Sequence, residues 1–112
     1  MKLVTGVITP FQLDAVKEAL TRASVTGVTI YEVRGFGRQR GHTEVYRGTE
    51  YQVDFIPKVC VEVVTNDEDA NAVADTIAAA AHTGQIGDGK VWVSPIDHVI
   101  RVRTGEVDRN AI

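Results

Sequence analysis

Two stretches of helical period, each set between β-branched runs, constrain this chain more than any other feature. Between Gln12 and Ser24, Leu13, Val16, Leu20 and Ala23 recur at helical spacing, with Asp14, Lys17, Glu18 and Arg22 on the opposite side. This predicts an amphipathic helix closed near Gly27. A second helix is predicted after Asn66, a capping residue followed by the acidic first turn Asp67, Glu68 and Asp69. Its apolar stripe is Ala70, Val73, Ile77 and Ala80, its tail from Ala78 to Ala81 is small enough for close packing, and His82 and Gly84 mark its end. Around these helices lie four runs of strand character. They are Val4 to Ile8 (stopped by Pro10), Val28 to Arg34, the alternating Lys58 to Val64, and Val91-Trp92-Val93 before Pro95. A strand-like tail runs from Val99 to Arg103.

The order strand–helix–strand–strand–helix–strand predicts an α+β fold, a ferredoxin-like βαββαβ sandwich. Two crossover units share one four-stranded sheet, with both helices on one face. At 112 residues the whole of 1–112 is expected to form one domain. The other sheet face is too apolar to meet water comfortably, so self-association is expected. A formal charge of −3 argues against direct nucleic-acid binding, and the lone Cys60 excludes an intrachain disulfide. No run approaches the roughly 20 apolar residues of a membrane span, and no export stretch is evident. A cytoplasmic location is the resulting expectation.

The segment from Phe36 to Pro57 is far longer than the roughly two to five residues a hairpin needs. Arg38, Arg40, Glu44, Arg47, Glu50 and Asp54 interleave there with Tyr46 and Tyr51, and Gly35, Gly37, Gly41 and Gly48 supply hinges. Such a loop has too little apolar surface to fix itself and can order differently against different partners. The alternative is a solvated β-hairpin with no task. Tyr46 and Tyr51 are either acceptors for a modifying enzyme's nucleotidyl or phosphoryl group or ordinary surface aromatics.

A glycine-rich turn, about 82–90, carries the sharpest chemical signal: Thr83-Gly84-Gln85-Ile86-Gly87-Asp88-Gly89-Lys90. Glycines let backbone amides converge on an anion, and Lys90 adds a point charge. Gly84, Gly89 and Lys90 match the spacing of a phosphate loop, but Val91 stands where Ser or Thr is needed and the helix–loop–strand order is inverted. It is therefore not a Walker loop, and either another phosphate cradle or a plain connecting turn remains. In the basic segment 101–106, strand alternation would set Arg101 and Arg103 on one side, a pair suited to polyphosphate. With Arg38, Gln39 and Lys58 at the loop base, an ATP-like ligand is the economical explanation. His42, His82 and His98 lack metal-ligand spacing, and Ser94 has no evident catalytic partners, so no enzymatic apparatus is visible.

Two stretches are more than generic. Tyr46-Arg47-Gly48-Thr49-Glu50-Tyr51 and Thr83 through Val93 resemble the two signature segments of the PII nitrogen-regulatory signal proteins. Gly35-Phe36-Gly37-Arg38-Gln39, Gly41-His42-Thr43-Glu44 and Arg101-Val102-Arg103-Thr104-Gly105-Glu106 are also similar to that family, and the likeness covers essentially the whole chain. The resemblance implies a homotrimer whose clefts between subunits bind ATP or ADP. Gly35, Gly37, Arg38, Gln39, Val64, Gly87, Asp88, Gly89 and Lys90 would come from one subunit, and Gly27, Thr29, Glu62, Arg101 and Arg103 from its neighbour. It also implies 2-oxoglutarate taken up with Mg2+ and ATP at the loop base. Gln39 would help hold the metal, Lys58 would meet a carboxylate, and Arg40, Gly41 and Gly87 would complete the pocket. Arg47 matches a residue that plugs an ammonium transporter, and Tyr51 the target of a nucleotidyl-modifying enzyme.

Some positions depart from the family's pattern. Thr9 and Gln85 stand where many members carry lysine, and Thr49 where some carry a phosphorylated serine. The implied function is a non-enzymatic sensor of ATP/ADP and 2-oxoglutarate. It would control an ammonium transporter, its only route to a membrane, together with nitrogen-assimilation enzymes or regulators. The alternatives are a small oligomeric ATPase or phosphotransferase on the same fold, and an oligomeric scaffold without ligand.

Overall fold

The computed structural model describes residues 1–36, 43–46, 49–52 and 55–112, with the backbone alone for 43–46 and 49–52. Its elements are β1 (Lys2–Ile8), α1 (Leu13–Arg22), β2 (Thr29–Gly35), β3 (Thr43–Tyr46), β4 (Thr49–Gln52), β5 (Ile56–Thr65), α2 (Ala70–Ala81) and β6 (Gly89–Pro95). β2, β5, β1 and β6 lie side by side in that order in one antiparallel sheet. This is the expected ferredoxin-like topology. β1 and β5 hold the two central places, which suits their β-branched sequences.

Strand alternation divides the sheet into two faces. Val4, Ile8, Val59, Val61 and Val63 bury themselves with Val16 and Leu20 of α1 and Ala70, Val73, Ile77 and Ala81 of α2. Each fully buried large aliphatic side chain contributes about 1.5–3 kcal/mol. The opposite face carries the cross-strand row Thr29–Glu62–Thr5–Trp92 and beside it Tyr31–Cys60–Val7–Lys90. Among the described residues no helix covers this face, and Tyr31, Val64 and Trp92 are all more than a third exposed on it.

Several local expectations need correction. α1 stops before Gly27: Ser24 takes the left-handed φ of 64°, its N–H bonds the Thr21 carbonyl at 3.0 Å, and the Val25 N–H bonds the Leu20 carbonyl at 3.0 Å. Those two bonds make a Schellman stop, with Val25 packed back on the core. Asn66 makes no side-chain cap. Residues 67–69 form a 3-10 turn that feeds α2, and the Asn66 carbonyl accepts from the Thr65 hydroxyl at 2.6 Å. The fully buried residue after Ile77 is Ala81, one turn on, while Ala80 is only partly buried at the margin.

The tail from Val99 to Arg103 is not a strand. It makes one isolated bridge, Ile100 to Val107, because Gly105 at φ 75° turns the chain back and its N–H bonds the Arg101 carbonyl at 2.8 Å. The alternation argument for Arg101 and Arg103 therefore fails: Arg101 is half-buried and Arg103 exposed on a turn. Within the long 36–57 segment, the backbone of β3 pairs with β4 from Thr43–Gln52 to Tyr46–Thr49, so part of that segment is a regular hairpin.

Candidate functional site

The glycine-rich turn meets the uncovered sheet face at one end of the strands. A hollow of about 710 Å3 is lined there by residues 84–90, by Gly35 and Phe36 at the end of β2, and by Ile56 and Lys58 at the start of β5. Val7 and Trp92 form its floor. Gly89 makes this close approach possible. Its φ is 105°, and a Cβ on it would stand 1.8 Å from the Val7 carbonyl oxygen. Lys58, on the uncovered face, donates from Nζ to the Gly87 carbonyl at 2.6 Å and draws the turn against the sheet.

Asp88 fastens the same turn from inside. One carboxylate oxygen accepts the N–H groups of Thr83 and Gly84 at 2.7 and 2.9 Å, and the other accepts the Thr83 hydroxyl. The Thr83 hydroxyl, then its N–H and that of Gly84, hold the Asp88 carboxyl below the usual carboxylate range, with the His82 ring nearby adding to the effect. The carboxylate is thus committed to shaping the turn. Lys90 stands exposed directly after the left-handed glycines at 84, 87 and 89. A cation beside a glycine-rich turn fits an anion.

A second hollow, about 830 Å3, lies at the opposite end of the strands. Gly27, Thr29, Glu62 and Val64 line it, together with Val99, Ala111 and Ile112 from the C-terminal segment. At its edge the Tyr31 hydroxyl donates to Glu62 Oε1. The buried Cys60 thiol, then Glu62, push the Tyr31 phenol pKa up. Arg101 lines neither hollow: Nη1 donates to Glu106 Oε1 at 3.1 Å and Nη2 to the Ile112 main-chain oxygen at 3.4 Å.

The family model described as "Nitrogen regulatory protein P-II" matches residues 1–106. The chain belongs to this family. It is 58% identical over 112 residues to the nitrogen regulatory protein P-II of Rhizobium meliloti (strain 1021), covering all of both chains. It is 54% identical, again over all of both chains, to the nitrogen regulatory protein P-II of Azospirillum brasilense and to nitrogen regulatory protein P-II 1 of Escherichia coli (strain K12). The role that follows is nitrogen-regulatory signalling, and the relatives are named as regulators, not enzymes. Among the described residues no helix is long and apolar enough to cross a membrane.

For this P-II chain, the fold brings the expected residues together in two groups. Gly35, Lys58, Gly87, Asp88, Gly89 and Lys90 line one hollow, and Gly27, Thr29, Glu62 and Val64 the other. Val64, expected with the first group, lies with the second. Gly37, Arg38, Gln39, Arg40, Gly41 and Arg47 fall outside the described residues, as does the side chain of Tyr51, whose backbone lies on β4. Three contributors escaped the sequence reading: the Thr83–Asp88 staple, Tyr31 on Glu62, and Glu106 on Arg101. Only the last left a signal, since a glycine at 105 between opposite charges marks a turn that can fold one onto the other.

Proposed function

We propose that this P-II protein is a non-enzymatic sensor of ATP and ADP that assembles as a homotrimer. The observation that carries the reading is the glycine turn pinned by Lys58 and Asp88, which sets the exposed Lys90 beside the apolar floor of Val7 and Trp92. A base needs the apolar floor and phosphates need the donors. Gly35, Gly37, Arg38, Gln39, Gly87, Asp88, Gly89 and Lys90 bind the nucleotide from one subunit. Gly27, Thr29, Glu62 and Val64 of a neighbour's second hollow, with Arg101 and Arg103 of its C-terminal turn, close the site. The uncovered face with Tyr31, Val64 and Trp92 is what the assembly buries.

2-Oxoglutarate binds at the loop base through Gln39, Arg40, Gly41, Lys58 and Gly87. Mg2+ accompanies ATP there. Among the described residues no cluster of His, Cys, Asp or Glu could hold a metal. In this reading Gln39 would help hold the metal, with the remaining places open to phosphate and water oxygens. The loop then selects targets: an ammonium transporter through Arg47, nitrogen-assimilation enzymes or regulators, and a nucleotidyl-modifying enzyme at Tyr51. The protein works in the cytoplasm and reaches the membrane through the transporter.

Isothermal titration tests the coupled sites. 2-Oxoglutarate is expected to bind at least tenfold more tightly with magnesium-ATP present than without it, since one ligand completes the other's site. Equal affinity in both conditions would refute the coupling. Turnover of ATP above background, lost in Lys90→Ala, would replace the sensor reading with an ATPase.

A further inference from the structure

We propose that Glu106 is a built-in competitor for the Arg101 guanidinium, so that the C-terminal turn sets how tightly the protein holds nucleotide. The inference rests on the nucleotide reading above and adds a regulator to that site.

The turn is a closed unit. The Arg101 N–H bonds the Glu106 carbonyl at 2.9 Å, the Gly105 N–H bonds the Arg101 carbonyl at 2.8 Å, and the Glu106 N–H bonds the Thr104 hydroxyl at 3.2 Å. Closing it lays the Glu106 carboxylate beside Arg101, with Nη1 to Oε1 at 3.1 Å. Nη2 is meanwhile engaged by the Ile112 main-chain oxygen at 3.4 Å. A guanidinium offers phosphate the same forked donors it offers carboxylate, so a polyphosphate reaching Arg101 must displace these oxygens. Ile112 and Ala111 also line the hollow that holds Gly27, Thr29 and Glu62, which puts the self-held guanidinium at that hollow's rim.

The rest of the segment is tied down without Arg101. Arg109 pairs with Glu68 in the 3-10 turn before α2, and Asp108 accepts from the Val99 N–H at 3.2 Å and meets His98 Nδ1 at 2.9 Å. Freeing Arg101 therefore leaves the strap in place. Both partners are more than a third exposed, 38% for the Arg101 side chain and 46% for Glu106, so the competition is that of a surface ion pair. Such pairs correspond to about a two- to fivefold change in an equilibrium constant.

The test is titration of ATP, ADP and adenosine into the wild-type protein, Glu106→Gln, Arg101→Ala and the double variant. Glu106→Gln is expected to tighten ATP and ADP about two- to fivefold, to leave adenosine unchanged, and to have no effect when Arg101 is already alanine. Glu106→Ala should repeat the result if the glutamine variant folds poorly. A purely structural Glu106 would move adenosine as well and would act regardless of Arg101. Either of those results, or unchanged or weaker ATP binding in Glu106→Gln, overturns the proposal while the nucleotide reading stands. Wild-type protein that binds neither ATP nor ADP overturns both.

Discussion

Replacing Gly89 by alanine tests the central geometric claim, that the glycine turn seats directly on β1. Two costs add. At a φ of 105° an L side chain is strained whatever the space around it, by about 1–2 kcal/mol. The new Cβ would also stand 1.8 Å from the Val7 oxygen and 2.8 Å from the Val7 carbonyl carbon, where ordinary contact begins near 3.4 Å. Those neighbours are backbone of a central strand, so no rotamer change can relieve the overlap. The start of β6 must move off β1, giving up the Ile8–Gly89 pairing, a further loss of about 0.5–1.5 kcal/mol per hydrogen bond. The total is on the order of 2–4 kcal/mol, which for a chain of this length lowers Tm by about 8–16 °C.

The assay is thermal denaturation followed by circular dichroism at one fixed protein concentration, because association raises apparent stability by mass action. Gly27→Ala is the control: its Cβ would meet nothing within 4 Å, and it should melt with the wild type. A Gly89→Ala protein melting within about 2 °C of wild type would mean that the turn does not rest on β1 as described.

Two other outcomes follow from the same face and turn. The Asp88 carboxyl is held below its ordinary value of 3.8 by groups of the turn, so its contribution is complete above that value and is lost as pH falls through the lower folded-state value. The Gly84 amide resonance should therefore titrate with a midpoint below 3.8, and a midpoint at or above it would refute the staple. Trp92→Glu puts a charge on the uncovered sheet face, and light scattering should then report the monomer mass instead of the proposed trimer.

The architecture was legible in the sequence because period changes cleanly there. Val16, Leu20, Val73 and Ile77 sit at helical spacing and all are buried, and Val59, Val61 and Val63 alternate into the same core. What failed were features set by backbone geometry. Ser24 took the left-handed stop that composition gives to Gly27, since a Schellman closure needs its residue immediately after the last turn. The Arg101–Arg103 strand dissolved into a turn because one glycine's φ outweighs three residues of alternation. At the site, Lys58, Gly87 and Lys90 were legible as chemistry. The Lys58–Gly87 bond and the Asp88 staple were not, because they depend on how a loop lies on a sheet.

The two hollows have a consequence that a chain-exchange experiment can read. Gly89 and Lys90 stand at one end of the strands while Gly27, Thr29 and Glu62 stand at the other, and Lys58 and Glu62 lie four residues apart on β5, about 13 Å of strand. Neither of these two hollows, among the described residues, holds both groups. If the nucleotide site joins the glycine turn of one copy to the second hollow and the C-terminal turn of the next, Lys90→Ala and Arg103→Ala each damage every site in a pure assembly, but from opposite sides. Random mixing in a closed ring leaves about one interface in four with Lys90 from one copy and Arg103 from its neighbour both intact. After unfolding and joint refolding, an equal mixture should regain about a quarter of the wild-type ATP sites, whereas the separately refolded variants regain none. A site contained within one chain cannot be rebuilt this way, and a mixture that binds no better than its components would remove the neighbour from the site.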